Sequence, residues 1–281
     1  MKVFVVNCGS SSVKYQLFDM ADESTMAEGI ADRVVVMGGR EAVLKHRRRG
    51  AEEVRVRAEM PDHAVALRYI FEALTSPEHG VIKSLEEIDA VGHRVVHGGE
   101  KFAESVLIDE EVMRAIEEHA ELAPLHNPPN LTGIRACMEH LPNVPHVAVF
   151  DTAFHQTMPE HAYLYGLPYE VYQKYGVRRY GFHGTSHRYV SMIAAELLEK
   201  RGIPREEQKI VTCHLGNGCS MAAVKGGRSI DTTMGFTPLE GLLMGTRCGD
   251  LDPAVVPYLM QRMGMGTDEI DQYMNKKSGL L

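Results

Sequence analysis

The chain opens on apolar runs broken by a polar turn. Lys2 to Val6 is apolar, Asn7-Cys8-Gly9-Ser10-Ser11-Ser12 is polar, and Val13 to Phe18 is apolar again, which predicts a β-hairpin with a polar tip. Strand-like patterns recur at about 25–36, 42–48 and 53–59. The period then changes, because Ala64, Leu67, Ile70, Phe71 and Leu74 repeat at helical spacing and predict a helix over 62–75. Asp89 to Val96 predicts another strand, ending in Gly98-Gly99, and Asp109 is placed to cap a helix whose Val112, Ile116 and Ala120 share a face. Leu125 to Leu131, punctuated by proline and asparagine, predicts a loop. His146 to Phe150 predicts a short buried strand that delivers Asp151 at its carboxyl end, where open α/β sheets carry functional side chains.

Residues 152–182 are rich in Tyr, Pro and His without a sustained period, so the domain boundary is expected near 151, with domains over 1–151 and 152–281. Thr185 or Ser186 reads as the cap of an amphipathic helix carrying Val190, Ile193, Ala194, Leu197 and Leu198, stopped by Gly202 and Pro204. Lys209 to Leu215, Gly216-Asn217-Gly218 and Ser220 to Val224 then read as strand, turn, strand, a repeat of the opening. Setting Gly9 against Gly216 aligns Val6-Asn7-Cys8-Gly9 with Cys213-His214-Leu215-Gly216, the pattern of a fold built from two related halves. Asp252-Pro253 opens a predicted helix over about 252–263, and another is predicted over about 267–276. The closing Asn275 to Leu281 reads as a turn leading into a further packed element, which predicts that structure continues past Leu281.

Composition narrows the class. With 281 residues, 44% hydrophobic and 24% charged, the chain is globular and of one or two domains. No apolar run approaches the ~18–20 residues of a membrane span, and Met1 to Val6 is too short for a signal peptide, so a cytoplasmic protein with no membrane partner is expected. Net charge is −8, and the one dense basic run, Lys45 to Arg49, is followed by Glu52 and Glu53; it reads as a solvated hairpin, and nucleic acid is not expected as a partner. Five cysteines with no CxxC spacing suggest reduced thiols rather than a disulfide framework or zinc knuckle.

A Gly/Ser/Asn turn between strands can aim several backbone N–H groups at one anion. Two such turns, at 7–12 and 216–220, suggest a phosphate held from two sides, although either alone also reads as a tight turn. Gly181 to His187 adds a glycine-rich entry to a helix N-terminus. No P-loop pattern occurs. Arg94 and Arg247 sit among glycines, and each reads either as an anion-binding fork or as a surface ion pair. His93 and His97 have the spacing of zinc ligands on a helix, but their strand context argues against a metal.

Seven motifs in order make the pattern specific: Val5 to Lys14, Gly92 to Gly99, Leu125 to Pro128, Phe150 to His155, Gly181 to His187, His214 to Gly218 and Met244 to Asp250. Together they resemble the acetate kinase family. The resemblance implies the acetate and sugar kinase, heat-shock chaperone and actin fold: α/β, two duplicated βββαβαβα-type domains closing over a nucleotide, the second incomplete here. It implies transfer of the ATP phosphoryl group to acetate, giving acetyl phosphate and ADP, with Mg2+ as cofactor and a homodimer. Asn7, Ser10, Ser12 and Lys14 are then expected near the nucleotide phosphates, with Asn7 also beside the metal. Arg94 and Arg247 grip the carboxylate and the phosphoryl group, Asp151 lies close to the metal and reacting centre, and His183 hydrogen-bonds the transferring group. His126 and His214 match further active-site histidines. Gly216, Asn217 and Gly218 form the second phosphate turn with His214. Val96, Leu125, Phe182 and Pro238 match the acyl pocket, with His126 beside it. The family continues beyond the equivalent of Leu281, and that part holds most of the adenosine pocket and a magnesium-associated glutamate. Alternatives are a kinase for propionate or another short-chain acid, a nucleotide-binding but inert fragment, and a nucleotide-gated binding protein of the same superfamily. Arg94, Arg247 and the apolar pocket argue against the last.

Overall fold

Alternation along the first strand sets the position of the core. β1 (Lys2–Cys8) buries Phe4, Val6 and Cys8 and turns Val5 outward. It pairs antiparallel with β2 (Ser12–Asp19), whose Val13, Tyr15 and Leu17 are buried in turn, and the Gly9 N–H donates to Ser12 O at 2.8 Å to close the hairpin. The computed structural model describes residues 1–34, 41–121, 123 and 126–281. Within them the meander continues through β3 (Ser24–Asp32), β4 (Ala42–Arg48) and β5 (Val54–Ala58). The strand expected over 25–36 ends at Asp32, and positions 35 and 36 lie outside the described residues. The basic run falls on the β4–β5 hairpin, with Arg47 paired to Glu28 and Arg55 to Glu53.

β6 (Ala90–Val95) joins β1 in parallel, β8 (His146–Phe150) joins β6 in parallel, and the two-residue β7 (Val106–Leu107) completes the sheet order β5-β4-β3-β2-β1-β6-β8-β7. Two parallel neighbours share one carboxyl end, and Asn7 of β1 and Arg94 of β6 both lie there. α1 (His63–Thr75) packs Leu67, Ile70 and Leu74 into the core beneath β1 to β4. α2 (Glu110–Glu118) is capped as expected, Asp109 accepting from the Val112 N–H at 2.8 Å.

The segment expected as a Pro/Asn loop is instead the start of a helix. α3 spans Asn127–His140 and places Pro128 and Pro129 in its first turn, where N–H groups have no intrahelical partner and a missing donor costs nothing. Leu125 lies outside the described residues. The asparagines that suggested a loop are buried clamps. Asn130 donates from Nδ2 to Cys8 O at 2.7 Å and accepts the Val96 N–H at 3.1 Å, so one side chain ties the ends of β1 and β6 together. Asn127 accepts the His97 N–H at 3.2 Å and donates to His97 O and Ile116 O. Asn130→Ala leaves a buried carbonyl and a buried N–H unmatched, each worth about 1–3 kcal/mol. A fall in melting temperature of several degrees is expected by circular dichroism, and a transition within one degree of the parent rejects the clamp.

The chain divides into two compact units, Met1–Phe150 and Asp151–Leu281. The aperiodic stretch that opens the second unit folds as a 3-10 turn over Ala153–Thr157 and two short helices, α4 (Glu160–Tyr163) and α5 (Tyr169–Tyr175). After α6 (Gly184–Glu199) comes a three-stranded antiparallel sheet, β9 (Lys209–Leu215), β10 (Cys219–Lys225) and β11 (Arg228–Thr232), in the order β11-β10-β9. That order repeats β3-β2-β1 of the first unit. β1 ends one residue before Gly9 and β9 one residue before Gly216, the register the sequence alignment predicts. The unit closes with α7 (Val255–Met263) and α8 (Thr267–Lys276); Asp252 does not cap α7 but accepts the Ala254 N–H at 2.9 Å one turn earlier.

Two expectations for α6 are corrected. Thr185 and Ser186 lie inside its first turn, and the cap position is His183, held in the left-handed region at φ 57° and ψ 22°. The stripe expected to be core is only partly so. His187, Ser191 and Ala195 face inward, while Val190, Ile193 and Leu197 are 47%, 37% and 55% exposed. α6 packs on β9 and β10 through its small and polar side, leaving the apolar side outward, and Val211 and Leu215 of β9 are exposed as well. No helix among the described residues is long and apolar enough to cross a membrane, and all five cysteines are free.

Candidate active site

In the first unit the expected residues gather around the hairpin tip. Asn7 and Lys14 face each other across β1 and β2, and Arg94 donates from Nη1 to Asn7 Oδ1 at 3.3 Å. Ser10 and Lys14 are exposed and Ser12 half-buried. The turn is anchored from behind by His63, whose Nε2–H donates to Gly9 O at 2.6 Å. Val96 is buried at the end of β6, and His126 is half-buried at the head of α3.

His93 and His97 are core histidines. The His93 ring donates to His146 Nδ1 at 2.9 Å, because His146 Nε2–H is committed to Leu141 O at 3.0 Å. His97 Nδ1 accepts the Gly99 N–H at 3.0 Å, and its ring stacks on His119. Burial pushes both His93 and His97 down to about 3, so both are neutral. Among the described residues no group of three or more His, Cys, Asp or Glu is placed to hold a metal ion.

The second unit assembles the larger group. Asp151 is buried directly after β8, and its carbonyl accepts the Gly184 N–H at 2.8 Å, which ties that residue to the start of α6. The left-handed His183 lies just before Gly184. Its ring stacks on His214 at 4.0 Å between centroids, and its Nδ1 is 2.8 Å from Ser220 Oγ. His214 is held through Nδ1 by Ser186 Oγ at 2.9 Å. Phe182 is buried, and its carbonyl accepts from His155 Nε2–H at 3.0 Å.

The 216–218 turn closes on these rings. Gly216 N–H donates to Gly218 O at 3.1 Å, and Asn217 O accepts the Gly245 N–H at 3.1 Å, which joins the turn to the loop carrying Arg247. A Cβ at Gly218 would stand 3.3 Å from Arg247 Nη1 and 3.5 Å from His183 Cε1, so turn, guanidinium and imidazole converge. Arg247 donates to Pro238 O at 3.1 Å and has no carboxylate partner among the described residues, and burial lowers its pKa below the ordinary guanidinium value. A half-buried cation with donors in a fixed fork is suited to receive an anion.

The structure thus groups Asn7, Ser10, Ser12, Lys14 and Arg94 in one unit, and Asp151, Phe182, His183, His214, Gly216, Asn217, Gly218, Pro238 and Arg247 in the other. Sequence reasoning missed Asn127, Asn130, His155, His187, Thr212 and Ser220, all buried behind those groups. His155 and His187 were visible only as members of histidine-rich motifs. Thr212 and Ser220 carried one faint signal, a hydroxyl at an inward position of a strand.

The chain is 60% identical over 281 residues to an acetate kinase of Desulfitobacterium hafniense, covering all of this chain and 69% of that protein. It is 59% identical to an acetate kinase of Methanosarcina acetivorans, covering 67% of it. Among solved structures, the acetate kinase of Porphyromonas gingivalis matches with a TM-score of 0.92 at 51% identity, over 99% of this chain and 68% of that one. A propionate kinase from Francisella tularensis matches with a TM-score of 0.89 at 41% identity over the same shares. The duplicated meander is accordingly that of the acetate and sugar kinase, heat-shock chaperone and actin superfamily. Residues 2–281 match the model of the acetokinase family, and the chain belongs to that family.

Proposed function

We propose that this chain catalyses reversible transfer of the γ-phosphoryl group of ATP to acetate, giving acetyl phosphate and ADP. The observation that carries the reading is Arg247, half-buried beside His183 and the Gly218 backbone and with no carboxylate partner among the described residues. A carboxylate oxygen of acetate attacks the γ-phosphorus in line, the bond to the β-bridging oxygen breaks, and that oxygen leaves with ADP. Phosphoryl transfer gives the protein little covalent work, so it acts by alignment and by neutralising charge on the equatorial oxygens. Arg94 and Arg247 hold the acetate carboxylate and the phosphoryl group. His183 donates a hydrogen bond to that group. Asn7, Ser10, Ser12, Lys14, His214 and the Gly216-Asn217-Gly218 turn hold the nucleotide phosphates through backbone N–H groups and short polar side chains. The family resemblance assigns Val96 and His126 of the first unit and Phe182 and Pro238 of the second to binding of the acyl group; Leu125, assigned with them, lies outside the described residues.

The donor chemistry fits Mg2+ that arrives with the nucleotide: the Asn7 amide oxygen and the Asp151 carboxylate are hard oxygen ligands, and magnesium commonly takes only one or two protein ligands beside substrate phosphates. Bound there, magnesium would supply positive charge that offsets the charge of the phosphates. A homodimer in the cytoplasm completes the proposal, on the family resemblance alone.

The deciding assay traps acetyl phosphate with hydroxylamine. Acetyl hydroxamate that appears only with ATP, acetate and magnesium together supports the reading; ATP hydrolysis without hydroxamate supports the nucleotide-gated alternative and rejects this one. The choice of acid rests on pocket volume, since one methylene in an apolar pocket is worth about 1–3 kcal/mol. Val96→Ala is expected to lower the KM for propionate while the ATP parameters stay fixed. Unchanged acid preference, or a change in the KM for ATP alone, removes Val96 from the pocket.

A further inference from the structure

Behind His183 runs a chain of hydrogen bonds that the reaction scheme leaves unused. Ser220 Oγ is 2.8 Å from His183 Nδ1 and also 2.8 Å from His187 Nε2, and His187 Nδ1 is 2.7 Å from Thr212 Oγ1. Ser220, His187 and Thr212 are all buried, so bulk water does not compete for these bonds. Burial, with the neighbouring His214 adding to it, pushes His187 down to about 4, and the ring is neutral with one N–H and one lone pair.

Ser220 has one hydroxyl proton and two lone pairs, so with neutral rings the bonds run in one of two directions, or both rings donate to Ser220, which leaves its buried proton with no acceptor among the described residues. In the first, Thr212 donates to His187 Nδ1, His187 Nε2–H donates to Ser220, and Ser220 donates to His183 Nδ1; His183 then carries its proton on Nε2. In the second every donation reverses, His183 carries its proton on Nδ1, and the Thr212 hydroxyl is left with Ala222 O at 3.5 Å, the outer limit of a hydrogen bond. The first direction uses only short bonds. It also puts both rings in the Nε2–H form, the one neutral histidine favours in water.

We propose that Thr212, His187 and Ser220 are positioning residues that lock His183 in the Nε2–H tautomer, so that a neutral imidazole offers a donor to the phosphoryl group. This rests on the reading of His183 as the group that bonds that phosphoryl. With the proton on Nδ1, a neutral His183 would turn a lone pair toward the phosphoryl oxygens instead.

Nitrogen-15 spectra of the histidine rings test the tautomer without reference to activity, with His183→Gln identifying the signal by its loss. The parent is expected to show His183 protonated on Nε2 and bare on Nδ1. Ser220→Ala and Thr212→Val remove a hydroxyl at nearly constant volume, and each should shift those signals toward a mixture of tautomers; Thr212→Ser, which keeps the hydroxyl, should restore them. In the hydroxamate assay kcat should fall by about 10–100-fold in the first two variants, the usual cost of losing a histidine's orienting partner, with the KM values within about twofold. A parent His183 protonated on Nδ1, or folded variants whose His183 signals match the parent, overturns the inference by itself. Parental turnover in His183→Ala overturns instead the catalytic reading on which it rests.

Discussion

Arg94→Ala and Arg247→Ala are each expected to lose about 10²–10³ in turnover, the cost of removing one preorganised donor at a developing charge. The reason differs slightly between the two. Arg247 is half-buried and fixed by Pro238 O at 3.1 Å beside Gly218, so its fork is held in place before any anion arrives. Arg94 stands at the carboxyl end of β6, bonded to Asn7 Oδ1, and its loss also frees the side chain assigned to the phosphates and metal. Lysine should rescue neither, because a point charge on a flexible stem does not reproduce two parallel N–H donors. Either variant retaining more than about half of parental turnover in the hydroxamate assay would contradict its assignment.

Gly184→Ala is expected to damage both stability and turnover. A Cβ there would stand 2.3 Å from the Asp151 carbonyl oxygen, a backbone atom that also accepts the Gly184 N–H at 2.8 Å. The overlap cannot be relieved by rotating a side chain, so the junction of Asp151, His183 and α6 has to open. Strain of this kind costs about 2–4 kcal/mol, a fall of roughly 5–15 °C in melting temperature. Turnover should drop as well, since displacing reacting groups by ~1 Å can cost about 10²-fold. Gly166→Ala is the control: a Cβ there meets nothing within 4 Å, and it should behave as the parent does. A Gly184→Ala protein with parental melting and turnover would show that the junction is loose.

The residues named from sequence fall into two groups because motifs are local. A glycine turn, a cap such as Asp109 or a strand that ends on Asp151 is specified by neighbours a few positions apart, and each was readable. α3 was misread for a physical reason: proline and asparagine favour loops in general, and the exception, prolines in a first turn with asparagines bonded to two strands, depends on Cys8 and Val96, far away in the chain. The apolar stripe of α6 misled in another way, since helical spacing defines a face without saying which side the sheet takes; the sheet takes the side of His187, Ser191 and Ala195.

By itself the sequence determined the hairpins, the repeat of Gly9 by Gly216, the placement of Asp151 after a buried strand and the family, because period, turn chemistry and motif order survive without any knowledge of distance. Only the tertiary structure decided which histidines are core and which gather at the Gly216–Gly218 turn. His93 and His97 are driven neutral by burial and bonded to other groups, whereas His183 is turned by a left-handed backbone onto Gly218 and backed by a serine 37 positions away. Burial and hydrogen bonding across such separations are properties of packing, and one chain read in order carries no record of them.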